Sequence, residues 1–234
     1  MSNSILNVTA YRFVALPQER LPILRIQLKE FAAAQSLKGT ILLSVEGINL
    51  SLAGEQQAIT EFKNFLNRFP EFAALTYRET FSEHQPFKRL LIRIKKEIIT
   101  MGRTDLQPAM ASAQYIEPQQ LKEWYQQGKE MLLLDTRNQY EVECGSFAGA
   151  LNLKLKNFRN FPEAVKNLPP EVKKKPIVTF CTGGIRCEKA ALWLEKQGFE
   201  QVYQLRGGIL NYFEQCDRDF FQGKCFVFDE RISI

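Results

Sequence analysis

Ile177-Val178-Thr179-Phe180 runs without a break into Cys181-Thr182-Gly183-Gly184-Ile185-Arg186, and helical apolar spacing follows from Cys187 to Gln197. A strand apolar at all but one position reads as buried, and the alternation of such strands with helices predicts a parallel sheet. Met131 to Leu134 is a second such strand, ending in Asp135-Thr136-Arg137-Asn138, and Val202 to Leu205 is a third, ahead of a Gly207-Gly208 turn. In sheets of this class ligands gather at the carboxyl ends of the strands, where both Asp135 and Cys181 stand. The loop after Cys181 also has the parts that favour a thiolate. Its N–H groups can curl inward around sulfur, the following helix adds partial positive charge, and the thiolate is the nucleophilic form of cysteine. Gly183 and Gly184 supply the backbone freedom for the curl, and Arg186 closes the loop with a fixed cation. A buried structural cysteine at a strand end is the plainer alternative.

The first hundred residues follow another rhythm. Strands are expected at Val8 to Leu16, Gly39 to Val45, Ile48 to Ala53 and Leu90 to Ile99, with helices at Leu21 to Gln35 and Gln56 to Phe69. The order βαββαβ predicts a ferredoxin-like sandwich, two helices on one antiparallel sheet. Acylphosphatases share this order, but their phosphate-gripping arginine loop is not evident here, so the half reads as a binding or positioning module. The pattern loosens between Gly102 and Pro118. The chain is therefore expected to comprise a ferredoxin-like domain over 1–107, an α/β domain with the Cys181 loop over 108–217, and a tail over 218–234.

Of the 234 residues 45% are hydrophobic and 24% charged, enough apolar material for two cores, and the net charge of +5 permits a polyanionic partner without requiring one. No run approaches the roughly 18 apolar residues of a membrane span, and the N-terminus does not read as a secretion signal. The five cysteines are odd in number and too few for a disulfide scaffold. A cytoplasmic, reducing setting with a working thiol is the expectation.

Asp135-x-Arg137-x3-Glu141, Gly145-x-Phe147-x-Gly149-Ala150, Cys181-x4-Arg186 and Leu205-x-Gly207-Gly208 together resemble the rhodanese domain, which commonly has His where this chain has Phe147. Cysteine phosphatases of the related fold place the arginine one residue further on, so the shorter loop suits sulfur rather than phosphate. Taken with Gly39 to Leu43, Glu46-Gly47-Ile48-Asn49 and Lys95 to Gly102, the block Cys181-Thr182-Gly183-Gly184-Ile185-Arg186-Cys187-Glu188-Lys189-Ala190 resembles the bacterial tRNA uridine hydroxylase family across nearly the whole chain. That resemblance implies a ferredoxin-like domain fused to a rhodanese domain, tRNA as partner, molecular oxygen as co-substrate, and conversion of the wobble uridine, position 34, to 5-hydroxyuridine. The residues alone reach only sulfur-type thiol chemistry, and a sulfurtransferase carrying a persulfide on Cys181 is the alternative. The family pattern continues past Phe226-Val227-Phe228-Asp229-Glu230-Arg231 into a cysteine-rich tail, whereas this sequence ends at Ile234.

Other residues carry two readings each. Cys187 is a resolving thiol or a small apolar filler. Asp135 is expected to brace the loop and Arg137 to face a ligand. Cys216 and Cys225 lack the further ligands of a zinc site, Cys144 sits in a polar loop, and His84, the only histidine, reads as a surface residue. No metal and no organic cofactor is identifiable. Arg89, Arg93 and Lys95 fall on one face of a strand, Leu90, Ile92 and Ile94 on the other. That stripe is a solvated face by itself and a phosphate-binding one if the substrate is tRNA.

Overall fold

The computed structural model describes residues 4–227. Phe228, Asp229, Glu230 and Arg231, with the rest of the expected tail beyond them, lie outside the described residues. The chain divides into two compact units, the first running through Ile99 and the second beginning at Thr100.

The first unit comprises β1 (Ile5–Phe13), α1 (Leu21–Ala34), β2 (Lys38–Ser44), β3 (Gly47–Gly54), α2 (Gln56–Leu66), β4 (Arg78–Ser82) and β5 (Leu90–Ile94). Helix α1 buries Leu21, Leu24, Leu28 and Ala32, one stripe at helical spacing, and carries a proline in its first turn, where no N–H is missed. Helix α2 buries Ile59, Phe62 and Leu66. Between the helices Phe31 and Phe65 stack with centroids 4.1 Å apart. The sheet order is β4-β1-β3-β2-β5.

Four of these strands make the expected ferredoxin-like sandwich, but the closing strand differs from the expectation. The place beside β1 is taken by β4, antiparallel to it. The strand expected to close the series, β5, stops at Ile94 and adds a fifth position, parallel to β2. Strand β4 reads Arg-Glu-Thr-Phe-Ser, with every residue half-buried or exposed. An edge strand of that kind has no apolar alternation to betray it.

The second unit comprises β6 (Gln114–Ile116), α3 (Pro118–Gln126), β7 (Leu132–Asp135), α4 (Gln139–Val142), β8 (Gly145–Phe147), β9 (Leu151–Asn152), α5 (Phe161–Lys166), β10 (Ile177–Phe180), α6 (Ile185–Lys196), β11 (Val202–Leu205), α7 (Gly208–Cys216) and β12 (Phe221–Gly223). Its main sheet has the order β6-β11-β10-β7-β9, parallel throughout. A two-stranded antiparallel ribbon joins β12 to β8. Phe147, where a histidine is common, is buried edge-on against Phe180, Tyr212 and Phe221, at 5.0, 4.8 and 5.3 Å between centroids. It is a packing residue.

Residues 100–107, expected to end the first domain, belong to the second unit. The Arg103 guanidinium lies 4.4 Å from the Trp193 ring centroid, and Lys196 pairs with Asp105 at 2.9 Å. Those partners lie some ninety residues away on α6, which local composition could not show. No helix among the described residues is long and apolar enough to cross a membrane.

Candidate active site

Strand β10 delivers Cys181 one residue past its last paired position, where Phe180 faces Asp135 of β7. The chain then curls. Gly184 turns it with φ at 98° and opens α6, and its N–H points back at the Cys181 sulfur, 3.1 Å away. The N–H of Arg186 is directed there too. The outward side of the loop is held by a second segment. At the start of α7 the N–H of Ile209 donates to the Cys181 carbonyl at 2.9 Å and that of Leu210 to the Thr182 carbonyl at 3.1 Å. Carbonyls are thus satisfied outside the ring and N–H groups converge inside it, which is how a backbone nest binds negative charge.

Gly208 makes this docking possible. A Cβ there would overlap the Cys181 carbonyl oxygen and stand 2.7 Å from the Thr182 oxygen and 2.8 Å from the Gly184 nitrogen. Of the two glycines expected to free the loop, only Gly184 takes a positive φ, while a Cβ on Gly183 would meet nothing within 4 Å.

Two buried ion pairs frame the loop. Arg186 grips Glu141 in a fork, Nη1 to Oε2 and Nη2 to Oε1, both at 2.6 Å. Glu141 also accepts the backbone N–H of Asn138 at 3.1 Å and the Thr182 hydroxyl at 3.5 Å. Burial works against charge on Arg186, but the Glu141 carboxylate more than restores it and holds the guanidinium cationic. In the second pair the Arg137 Nε and Nη2 donate to Asp135 at 2.9 and 2.6 Å, Nη2 donates again to the Gly145 carbonyl at 2.7 Å, and the Ser146 hydroxyl bonds Asp135 at 2.7 Å. Both side chains of that pair are 0% exposed. Asp135 also accepts the backbone N–H of Arg137 at 3.0 Å. Arg137, expected to face a ligand, instead spends its fork on Asp135 and the β8 backbone.

Burial by itself would raise the Cys181 pKa. It is outweighed by the hydrogen bond from the Cys187 thiol, the Arg186 charge and the Arg186 and Gly184 N–H groups, so Cys181 lies below the ordinary thiol range. Cys187 moves the opposite way: burial, then its bond to Cys181 and the negative charge there, hold it well above that range. Its sulfur lies 3.8 Å from the Thr136 hydroxyl, which bonds the Phe180 carbonyl at 2.9 Å. The opposite shifts favour the thiolate on Cys181 and the thiol on Cys187. Cys181 is fully buried, so a bulky reactant reaches its sulfur only when covering groups move.

The remaining candidates are dispersed. Thr182 is buried and Ile185 half-buried at the start of α6. Cys216 and Cys225 are buried in the apolar core. Cys225 reaches the loop through a hydrogen bond with Thr182, and burial pushes its thiol up to about 12. Among the described residues no group of three or more His, Cys, Asp or Glu side chains is placed to hold a metal ion. His84 is exposed, and Arg89, Arg93 and Lys95 are exposed in and beside β5 of the first unit. Sequence reasoning passed over Glu141 and Gly208 as site residues. Asn138-x-x-Glu141 has the spacing of a capping box, which was the available signal for the first, and the structure makes the Glu141 half of it, the carboxylate accepting the Asn138 N–H at 3.1 Å.

Comparison with known proteins adds the following. The UPF0176 acylphosphatase like domain matches residues 5–98, and the rhodanese-like domain matches residues 117–215. A tRNA uridine(34) hydroxylase of Cupriavidus necator is 46% identical over 98% of this chain and 83% of its own length. Proteins of the same name from Bordetella parapertussis and Delftia acidovorans are each 44% identical over 99% of this chain, covering 96% and 89% of their own lengths.

Proposed function

The chain belongs to the tRNA uridine(34) hydroxylase family, and we propose that it hydroxylates uridine 34 of tRNA with Cys181 as the reactive thiol. The observation that carries the role of Cys181 is the nest around its sulfur, with the Gly184 N–H at 3.1 Å. It is supported by the fixed Arg186 charge and the thiol donor Cys187. Thr182, Gly183, Gly184, Ile185 and Arg186 form that loop, Glu141 holds it through Arg186, the Asp135–Arg137 pair braces the neighbouring β8 backbone, and Cys187 keeps its proton so that Cys181 can be without one. The product is 5-hydroxyuridine and the oxidant molecular oxygen, as the family resemblance implies. Arg89, Arg93 and Lys95 take tRNA phosphates, each contact releasing a counterion. A tRNA substrate assigns the reaction to the cytoplasm.

Sulfur transfer and hydroxylation consume different reagents, and that separates them. Purified protein incubated with unmodified tRNA should leave 5-hydroxyuridine at position 34 in air and none under argon. Rapid anaerobic thiocyanate formation from thiosulfate and cyanide, with uridine 34 unchanged in air, would replace this reading by the sulfurtransferase one.

A further inference from the structure

The two faces of the five-stranded sheet differ in a way the reaction does not explain. Val8, Leu50, Ile41 and Ile92 belong to the buried core. Strand side chains alternate between faces, so their neighbours in sequence share the other one. Pairing register aligns Arg78, Thr9, Ser51, Thr40 and Leu91 in one row across all five strands. The next row runs Tyr11, Asn49, Leu42, Arg93. Every residue of the first row is half-buried, whereas the core face is sealed. Neither helix of the unit covers these rows.

Among the strand residues the charge on this face has one sign. The only acid in the five strands is Glu79, and it pairs with Val8, on the helix side. Arg78 stands at one edge of the other face, and Arg93 at the opposite edge, with Lys95 following at the same parity. Between the edges the floor is made of hydroxyls (Thr9, Ser51, Thr40). Beside β5 a surface recess of about 280 Å³ is lined by Arg25, Arg93 and Lys95 together with Ile92 and Ile94, so the basic edge wraps around the end of the track. Five strands at about 4.8 Å spacing make that track roughly 19 Å wide. A flat, cation-edged surface of this width, with no acid among its strand residues, Glu97 beyond them buried, and an aromatic ring in a second row whose Asn49 donates to the Ile98 carbonyl at 3.1 Å, has the chemistry that takes single-stranded RNA. The backbone meets the cations, the hydroxyls meet 2′-OH and base edges, and a base can stack on a ring such as Tyr11.

We propose that this helix-free sheet face is an RNA platform that holds the single-stranded loop nucleotides around uridine 34. The proposal rests on the tRNA reading above and gives it a location. It is tested in the full chain by equilibrium binding of an unmodified tRNA transcript, followed by fluorescence anisotropy over a range of salt. Ser51→Glu puts an acid in the middle of the track and should weaken binding at least tenfold. Arg93→Gln, at an exposed edge position, should weaken binding and make the log–log salt slope shallower by about 0.7–0.9. Lys29→Glu, exposed on α1, should bind within twofold of wild type.

If Ser51→Glu and Arg93→Gln are folded by circular dichroism and both bind like wild type, the platform is refuted. Should Ser51→Glu misfold, Arg93→Gln decides alone. Wild-type protein that binds no tRNA refutes the platform as well, and a surface for a protein partner would leave the tRNA affinity of every variant unchanged. Platform-dependent binding without modification of uridine 34 sinks the hydroxylase reading and spares the platform. Modification by Ser51→Glu and Arg93→Gln at wild-type affinity does the reverse.

Discussion

Replacing Gly208 by alanine separates two costs that the structure assigns to one position. Gly208 has φ at 65°, and its Cα approaches the Cys181 loop so closely that a Cβ would overlap the Cys181 carbonyl oxygen. Gly198 has φ at 83° with nothing within 4 Å of its Cβ position, so Gly198→Ala carries the backbone cost without the clash. A left-handed conformation costs a non-glycine residue about 1–2 kcal/mol. For Gly208→Ala the loop must also withdraw from α7, which strains the bonds from Ile209 and Leu210 N–H to the loop carbonyls. Two net hydrogen bonds add about 1–3 kcal/mol. The expectation is therefore about 1–2 kcal/mol for Gly198→Ala and about 2–5 kcal/mol for Gly208→Ala.

Both tryptophans, Trp124 and Trp193, lie in the second unit, so their fluorescence in a denaturant titration reports that unit. The same displacement loosens the nest, so the pH at which Cys181 becomes thiolate, read from thiolate absorbance, should rise in Gly208→Ala and stay put in Gly198→Ala. Equal destabilisation by the two variants, with the same thiolate midpoint as wild type, would refute the argument that α7 shapes the reactive loop.

Three further outcomes follow from the same contacts. Cys187→Ala removes the thiol donor to Cys181, so the thiolate midpoint should move up in pH; reactivity is then lost first at the acid end, and an unchanged midpoint would show that Cys187 is only filler. Glu141→Gln leaves Arg186 buried without its carboxylate and should cost about 3–5 kcal/mol by denaturant titration, whereas a change under about 1 kcal/mol would mean the fork is not what braces the loop. Reversing Arg89, Arg93 and Lys95 to Glu together should weaken tRNA binding steeply at about 0.1 M salt while leaving the Cys181 thiolate midpoint unchanged, and tight binding by the reversed protein would return the stripe to a solvated face.

The parts of the fold that sequence made visible are those whose cause is local. Ile177 to Phe180 is apolar at each position but one, Gly184 sits where the chain must turn, and Leu21, Leu24 and Leu28 keep a helical stripe. These patterns also set the reactive cysteine at the end of a parallel strand. What escaped depends on partners distant in sequence. Strand β4 is polar and is held only by pairing with β1. The segment around Arg103 looks like a linker until Trp193 and Lys196 are placed beside it. Arg137 looked available for a ligand because nothing near it in sequence announces the Gly145 carbonyl and a fully buried Asp135 as its destination. Gly183 and Gly184 looked equivalent in the sequence, and only the loop geometry shows that one turns the chain while the other merely lies in it.

The account stands most directly on the link between one sulfur atom and one nucleoside. Cells lacking the gene, and free of any other enzyme making the same product, would be complemented with wild type or with Cys181→Ala, and the nucleosides of their tRNA measured by mass spectrometry. Equal protein levels and equal tRNA affinity of the two forms in vitro would show that the substitution removes a reactive group and not the fold. Hydroxylated uridine 34 should return with wild type and be absent with Cys181→Ala; its return at the wild-type level with Cys181→Ala would contradict the assignment of Cys181 as the reactive thiol.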